Sequence, residues 1–405
     1  MSPASNVSLG SVADLLVGYA FKSDGFLDEE DEGIPILRGE NVSQGSLKWA
    51  GKTKRWREDD LPELARYQLQ VGDVILAMDR PIVGDGLKYA WITESDVPCL
   101  LVQRVCRIRG NTDAALTDYL RYVIASPAFT EHIHRITTGA NIPHISGKDI
   151  SAFSFRLPEL AEQEKIVEAL APFDELEKNY ERQISVLEEA ARLAYTEWFV
   201  RRQLPQAVTN GIAEEWRQGF VSDFVDVLSG GTPSTKTAMY WEGEIPFFTP
   251  ADAPSAFYVV DTEKHLTEEG LKSCNSALFP KHTVFITARG TVGKLALAQS
   301  PMAMNQSCYA LRTKADASPF FVFCAMQAAV EHFKQAASGG VFDAIVVDTF
   351  RRIPMIWPPR KVMDHFHDVV EPIFGQIETL LLQVAQLRQA RDLLLPRLIS
   401  GQLRL

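Results

Sequence analysis

The chain has 405 residues, 46% hydrophobic and 23% charged, a globular composition with room for two or three domains. Its 41 Lys and Arg against 52 Asp and Glu give a net charge of −11, which excludes a uniformly basic nucleic-acid binder but leaves a local basic face open, since part of the excess sits in Asp28 to Glu32. No apolar run reaches the roughly 18 to 20 residues of a membrane span.

The N-terminus MSPASNVSLGSVADLL lacks a basic stretch followed by an apolar one. Five scattered cysteines (Cys99, Cys106, Cys274, Cys308, Cys324) contain no CxxC pair, so a reduced, cytoplasmic protein without disulfides or a zinc site is expected. Residues 1–156 open with short β-type runs punctuated by Gly, Asp and Pro: Ile34 to Leu37, Val71 to Met78, Tyr89 to Ile92 and Leu100 to Ile108. A helical patch follows from Thr117 to Ile136, then the loop TTGANIPHIS. From 157 to 204, Ile166, Leu170, Phe173, Leu176, Tyr180, Ile184, Leu187, Ala191, Ala194 and Trp198 recur every three or four positions. They draw one apolar seam along a long helix whose other faces carry Glu, Arg, Gln and Lys. Pro172 is expected to kink this helix or to restart it at a first-turn position. A seam of this length cannot be satisfied in water and predicts a partner helix.

The partner lies 200 residues further on. Pro158 falls on Pro358, Pro172 on Pro372, Leu187 on Leu387, Ala190 on Ala390 and Leu193 on Leu393, with no gap. The seam repeats as Phe366, Val370, Ile373, Ile377, Leu380, Val384, Leu387, Leu394 and Leu398. The preceding region repeats as well. Val12-Ala13-Asp14-Leu15 is echoed by Val221-Ser222-Asp223-Phe224, Gly33-Ile34-Pro35 by Glu244-Ile245-Pro246, and VGDVILAMDRPIVG (71–84) by FPKHTVFITARGTVG (279–293). The helical patch recurs at Pro319 to Ala337, and Gly139 falls on Gly339. The chain therefore divides into a globular domain (1–156), a helix (157–204), a second globular domain (205–357) and a final helix (358–405). A period this long indicates duplication and not a solenoid.

Catalytic signatures are missing. Arg289-Gly290-Thr291-Val292-Gly293-Lys294-Leu295 has the wrong glycine spacing for a phosphate loop and lacks the Ser or Thr after Lys. There is no GxGxxG after a strand, no HExxH, no GxSxG and no Asn-Pro-Pro-aromatic segment. The pairs His132/His134 and His365/His367 are two apart, which on a helix puts them on different faces and speaks against metal ligation. The chain is expected to recognise rather than transform, with no cofactor and no metal of its own.

Four stretches carry a resemblance. They are Ser229-Gly230-Gly231-Thr232-Pro233-Ser234 with Tyr240-Trp241 and Glu244 through Asp252; Arg289 through Lys294 followed by Asn305-Gln306; Leu157-Pro158-Glu159-Leu160-Ala161-Glu162-Gln163 with Ile166-Val167; and Arg391 through Gly401. In this order the chain resembles the specificity subunit of type I restriction-modification systems. The resemblance implies an α+β fold with two target-recognition domains, each followed by a long helix, and an internal pseudo-twofold repeat in which the helices pair as an antiparallel coiled coil. It implies a non-catalytic subunit that reads a bipartite, asymmetric site on double-stranded DNA. Two methyltransferase subunits, and restriction subunits through them, would be its partners, with no membrane involved. The first domain departs from the pattern, with Val17-Gly18-Tyr19-Ala20-Phe21 where GGTPS would stand.

A DNA reader needs Arg or Lys for phosphates and Arg, Lys, Asn or Gln for base edges. In the first domain the candidates are Arg38, Asn41, Gln44, Lys52, Lys54, Arg55, Arg57, Arg80, Lys88 and Asn141. Residues 48–57 (KWAGKTKRWR) are the most basic stretch and are interleaved with Trp49 and Trp56, either a DNA-facing patch or a solvated hairpin with inward tryptophans. In the second domain they are Thr232, Ser234, Lys236, Asp252, Arg289, Lys294, Asn305 and Gln306, with plain turn geometry expected for Gly230, Gly231 and Gly293. About 40 helical residues extend roughly 60 Å, one to two turns of B-DNA at about 34–36 Å each, which would make the coiled coil a ruler. The rival reading is a two-lobed protein–protein scaffold without DNA specificity, favoured by the acidic charge; an enzyme, such as a nuclease or methyltransferase, is the third.

Overall fold

The apolar run Val74-Ile75-Leu76-Ala77 forms a strand with every residue buried, and the two cores it enters explain why it carries no polar face. Val74 and Leu76 enter one core with Cys106, Ile108, Leu120, Val123 and Phe129. Ile75 and Ala77 enter another with Leu37, Val42, Leu101 and Val105. Successive side chains of a strand point to opposite faces, so a strand covered on both sides reads as continuously apolar. The structure is a computed structural model that describes residues 5–83, 86–137, 143–209, 215–314, 317–336 and 345–405. Two units emerge, Met1–Glu175 with Arg388–Leu405, and Leu176–Leu387.

In the first unit Val74–Ala77 is an inner strand of a four-stranded antiparallel sheet, between Val105–Gly110 (itself paired with Ala13–Val17) and Tyr89–Trp91. A three-stranded sheet joins Lys54–Trp56, Ile34–Leu37 and Leu100–Leu101, the last pair parallel. The expected single strand Leu100 to Ile108 is two strands, because Arg104 turns the chain between them with φ +66°. The expected helical patch is also two elements, Thr117–Ala125 and Pro127–Thr137. Ser126 between them is extended at ψ 147°, the conformation a following proline enforces.

The second unit repeats this order. Its five-stranded sheet runs Val225–Ser229, Cys308–Thr313, Val284–Thr287, Leu295–Ala298, Tyr258–Val259, and a three-stranded sheet joins His265–Leu266, Trp241–Phe248 and Ala303–Met304. Backbone bonds define the correspondence. The N–H of Leu9 donates to Phe153 O and that of Val221 to Ile353 O, so Leu9 corresponds to Val221. The echo expected between Val12 and Val221 is therefore corrected by three residues: Asp14 matches Asp226, each paired across its sheet with an arginine, Arg109 and Arg312. Ile34-Pro35 does match Ile245-Pro246, since Ile36 pairs with Leu100 as Phe247 pairs with Ala303. Asn141 and the matched pair Gly139 and Gly339 lie outside the described residues.

The long helices are Leu160–Tyr195 and Arg360–Ser400. In the first unit Ile166 and Leu170 share a core with Leu395, Leu398 and Ile399, and Leu394 packs against it. In the second unit Ile184, Ala191 and Trp198 share a core with Phe366, Val370 and Ile377, packed by Tyr180, Leu187 and Ile373. The early part of each helix thus meets the late part of the other, the antiparallel arrangement. Val384 is buried, and Phe173 and Leu387 are half-buried. Pro172 does not restart the helix; it sits exposed inside an uninterrupted one. A single π-type turn at Thr196–Val200 follows, with the adjacent Trp198 and Phe199 both buried. Leu176 is exposed, and Asp174 takes the inward position instead. In the second helix Phe374, not Ile373, is fully buried, its ring stacked 4.3 Å from that of Phe320.

Candidate nucleic-acid interface

The basic run 48–57 folds against the acidic run 28–32. Lys54 pairs with Asp28, and Arg55 donates through Nε to Glu29 O (3.1 Å) and through Nη1 to Gly33 O (2.8 Å). Glu29 accepts from Gly51 N–H (3.1 Å) and Thr53 Oγ1–H (3.1 Å). Trp56 is buried with Nε1–H bonded to Asp60, and Trp49 bonds Asp96 (both 2.8 Å). The inward-tryptophan alternative is the one realised. Lys54 and Arg55, expected as DNA-facing cations, tie this run to the neighbouring loop: Lys54 is half-buried against Asp28, and Arg55 is half-buried with two of its nitrogens on carbonyl oxygens. Arg57 stays exposed beside Trp56, 3.5 Å from Asp60.

Asn41 is also corrected. It is fully buried, its Oδ1 accepting from Arg38 N–H (3.0 Å) and its Nδ2 donating to Lys48 O (3.1 Å) and Lys52 O (3.3 Å). Arg38 bonds Lys52 O (2.6 Å) and Glu40. Asp252 plays the matching part in the second unit. Its Oδ2 accepts from Thr249 N–H (2.8 Å) and Oγ1–H (2.6 Å), and its Oδ1 from Glu263 N–H (2.9 Å). Both residues brace their loops, Asn41 from a fully buried site and Asp252 from a half-buried one. The sequence sign of such a brace is a short polar side chain a few residues after the end of a buried strand.

One edge of the first unit gathers chemistry on its surface. Met78 N–H donates to Arg104 O (2.8 Å), Ile145 N–H to Met78 O (2.9 Å) and Arg80 N–H to Pro143 O (2.8 Å). These bonds bring Asp79-Arg80, Arg104 and His144 together. Asp79 accepts from Arg104 Nη1 (2.7 Å) and His144 Nδ1 (2.6 Å). Burial pushes its carboxyl up, but the hydrogen bonds and charges of Arg104 and His144 outweigh that and hold it below the usual range. Arg80 is exposed at φ +44°. Lys88 is half-buried and bonded to Gly39 O; burial and then the nearby Lys52 push its ammonium pKa down. Lys52 and Gln44 are exposed, Gln44 donating to Val83 O (2.9 Å). Sequence reasoning missed Arg104 and His144. The signal was the Gln103-Arg104 pair interrupting an apolar β run.

The corresponding edge of the second unit is different. Ala288 N–H donates to Ser307 O (2.8 Å) and Ile345 N–H to Ala288 O (2.9 Å), so Arg289 stands where Asp79 stands and Ser307 where Arg104 stands. Arg289, Lys294, Lys236, Thr232, Ser234 and Gln306 are exposed, and Thr232 Oγ1 bonds Gln306 Oε1. Asn305 is half-buried, its Oδ1 accepting from Ser307 N–H (3.0 Å). Residues 288–294 form a hairpin turn closed on Thr287, with Gly290 and Gly293 at φ +76° and +78°. Gly230 and Gly231 are not turn glycines. A Cβ on Gly230 would lie 2.3 Å from Met304 O, and one on Gly231 would lie 2.6 Å from Asn275 N. Gly18, 2.2 Å from Val102 O by the same measure, is the first-unit counterpart of Gly230.

Among the described residues no group of three or more His, Cys, Asp or Glu is placed to hold a metal ion. Burial pushes the thiols of Cys99, Cys106, Cys308 and Cys324 up to about 12, so none is a thiolate at neutral pH. No described helix is long and apolar enough to cross a membrane.

The family model for the type I restriction modification DNA specificity domain matches residues 1–188 and 213–367, one copy per repeat. The chain belongs to this family. It is similar to the HindI specificity subunit of Haemophilus influenzae, 21% identical over 412 residues, covering 85% of this chain and 89% of that protein. It is 35% identical over 161 residues to the EcoAI specificity subunit of Escherichia coli, covering 39% of this chain and 26% of that one. The crystal structure of the S subunit from M. genitalium shares the fold at 15% identity, covering 98% of this chain and 99% of that one with a TM-score of 0.56. Two family domains and two long helices are therefore the organisation of a type I specificity subunit.

Proposed function

We propose that this chain reads a bipartite, asymmetric sequence on double-stranded DNA for a type I restriction-modification complex, one half-site per repeat. It performs no catalysis itself. The paired helices set the interval between half-sites and receive two methyltransferase subunits, through which restriction subunits join. The observation that carries this reading is one exposed edge built twice on one topology with different side chains: Asp79, Arg104 and His144 in the first repeat, Arg289, Gln306 and Thr232 in the second. Equal frames with unequal donors and acceptors suit two different half-sites, because base identity in the major groove is a donor–acceptor pattern. Helices of 36 and 41 residues are about 54 and 62 Å long, of the order of two turns of B-DNA.

The test is a genome-wide map of methylated bases in cells with and without this gene, repeated with one heptad inserted into each long helix. A two-part motif that depends on the gene, and a longer spacer with unchanged half-sites in the insertion variant, are expected. An unchanged spacer would refute the ruler. The absence of any gene-dependent motif would refute DNA reading and leave the scaffold alternative.

A further inference from the structure

Arg104 combines three features that no other described arginine of the first repeat has together. Its backbone is left-handed at φ +66°, a conformation a non-glycine residue holds only when its surroundings over-determine it. Its side chain is 67% exposed. Its guanidinium is nevertheless anchored, with Nη1 donating to Asp79 Oδ2 at 2.7 Å while Nε and Nη2 carry no bond among the described residues. Asp79 is in turn held by His144 at 2.6 Å. A planar guanidinium tied by one nitrogen loses less freedom when its remaining donors engage a partner, and those donors match the paired acceptors of one base only, the N7 and O6 of guanine. Arg80 beside it is exposed, its side chain without a bond among the described residues, and suits a phosphate. The Asp79–Arg104 pair is neutral as a unit, so it adds direction and not attraction. The second repeat has Arg289 and Ser307 at these two positions and cannot form the device.

We infer that Arg104 reads a guanine in the half-site of the first repeat and that Asp79 is its positioning residue. This rests on the DNA-reading role proposed above.

The experiment uses the full chain assembled with its methyltransferase subunits. Competition binding is measured on duplexes that vary each base pair of the motif mapped for the unaltered protein, at two salt concentrations, for Arg104→Lys, Arg104→Ala and Asp79→Asn. The expected result is a loss of about tenfold to a hundredfold in discrimination at a single G·C pair of one half-site. The other half-site and the melting temperature should be unchanged, the salt slope should be unchanged in the charge-preserving Arg104→Lys, and Asp79→Asn should relax the same base pair. A uniform weakening with a salt slope lower by about one would make Arg104 a phosphate contact and overturn the inference. So would unaltered discrimination in Arg104→Ala, or a first half-site without guanine. Asp79→Asn lowering the melting temperature without touching that base pair would overturn its positioning role. If the unaltered complex itself prefers no bipartite duplex, the DNA-reading role fails first, an outcome separate from any effect of the variants.

Discussion

Asn41 and Asp252 hold the same position in the two repeats. Each accepts the backbone N–H of the residue three before it, Arg38 at 3.0 Å and Thr249 at 2.8 Å, just after the strand that pairs in parallel with its neighbour. Duplication has kept the brace and changed its chemistry, an amide in one copy and a carboxylate in the other. The loops around these braces are free to differ because the frame beneath them does not.

This predicts that Asn41→Ala lowers stability by about 2–3 kcal/mol, since Nδ2 and Oδ1 serve three backbone groups in a fully buried site. Asn41→Asp should not recover this, because its second carboxyl oxygen would face the Lys48 and Lys52 carbonyl oxygens in a fully buried site. Chemical denaturation, followed as separate transitions where the two units unfold apart, measures it. A near-neutral Asn41→Ala would show that the loop closes without the brace.

Lys54 and Arg55 should be poor DNA contacts despite lying in the most basic stretch of the chain. Lys54→Ala is expected to leave the salt dependence of DNA binding unchanged, whereas Lys294→Ala should lower the slope of log K against log salt by about one. Binding titrations across a range of ionic strength decide it. A reduced slope for Lys54→Ala would restore the basic run as an interface.

Asp174 is the polar layer of the helix seam in the first unit. It pairs with Arg121 (3.3 Å) and Arg391 (3.1 Å) and accepts from Tyr122 Oη (2.7 Å), with its own side chain 9% exposed. Asp174→Ala leaves two half-buried guanidinium groups without this carboxylate and is expected to cost about 3 kcal/mol. At the matching position of the second helix Phe374 fills the core. Thermal melts of Asp174→Ala and Asp174→Asn provide the check; equal melting to the unaltered chain would mean that the layer is not needed.

Glu188 is buried, accepting from Phe257 N–H (2.7 Å) and pairing with Arg192 (3.2 Å). Burial raises its pKa despite both partners. A carboxyl raised in the folded state contributes stability that is full below its unfolded value and is lost as pH rises through the folded value. Glu188→Gln should therefore flatten the fall in stability from about pH 4.5 toward neutrality. At pH 7 it should sit within about 0.5 kcal/mol of the unaltered chain, because Arg192 is exposed and the lost ion pair is weak. Glu188→Ala strands the Phe257 N–H and should cost about 2 kcal/mol. Denaturation at a series of pH values tests all three statements; a steeper slope for Glu188→Gln contradicts them.

The sequence by itself determined the duplication, the two long helices and part of their seam, which it misplaced at Leu176, where Asp174 turns inward, and at Ile373, where Phe374 is the fully buried residue. Periodicity is a local property: Ile166, Leu170, Ile184 and Phe366 can face only one way on a helix, and water drives that face into contact. The strands around Ile34, Val74 and Tyr89 were legible for the same reason. Only the tertiary structure decided which polar residues are available. Asn41, Asp252, Lys54 and Arg55 are tied to partners elsewhere in the folded loops, and Arg104 is brought to Asp79 and His144 by backbone bonds linking positions 78, 104 and 145. A side chain's type states what it can bond; which bonds remain for a ligand depends on which protein atoms have already taken the rest.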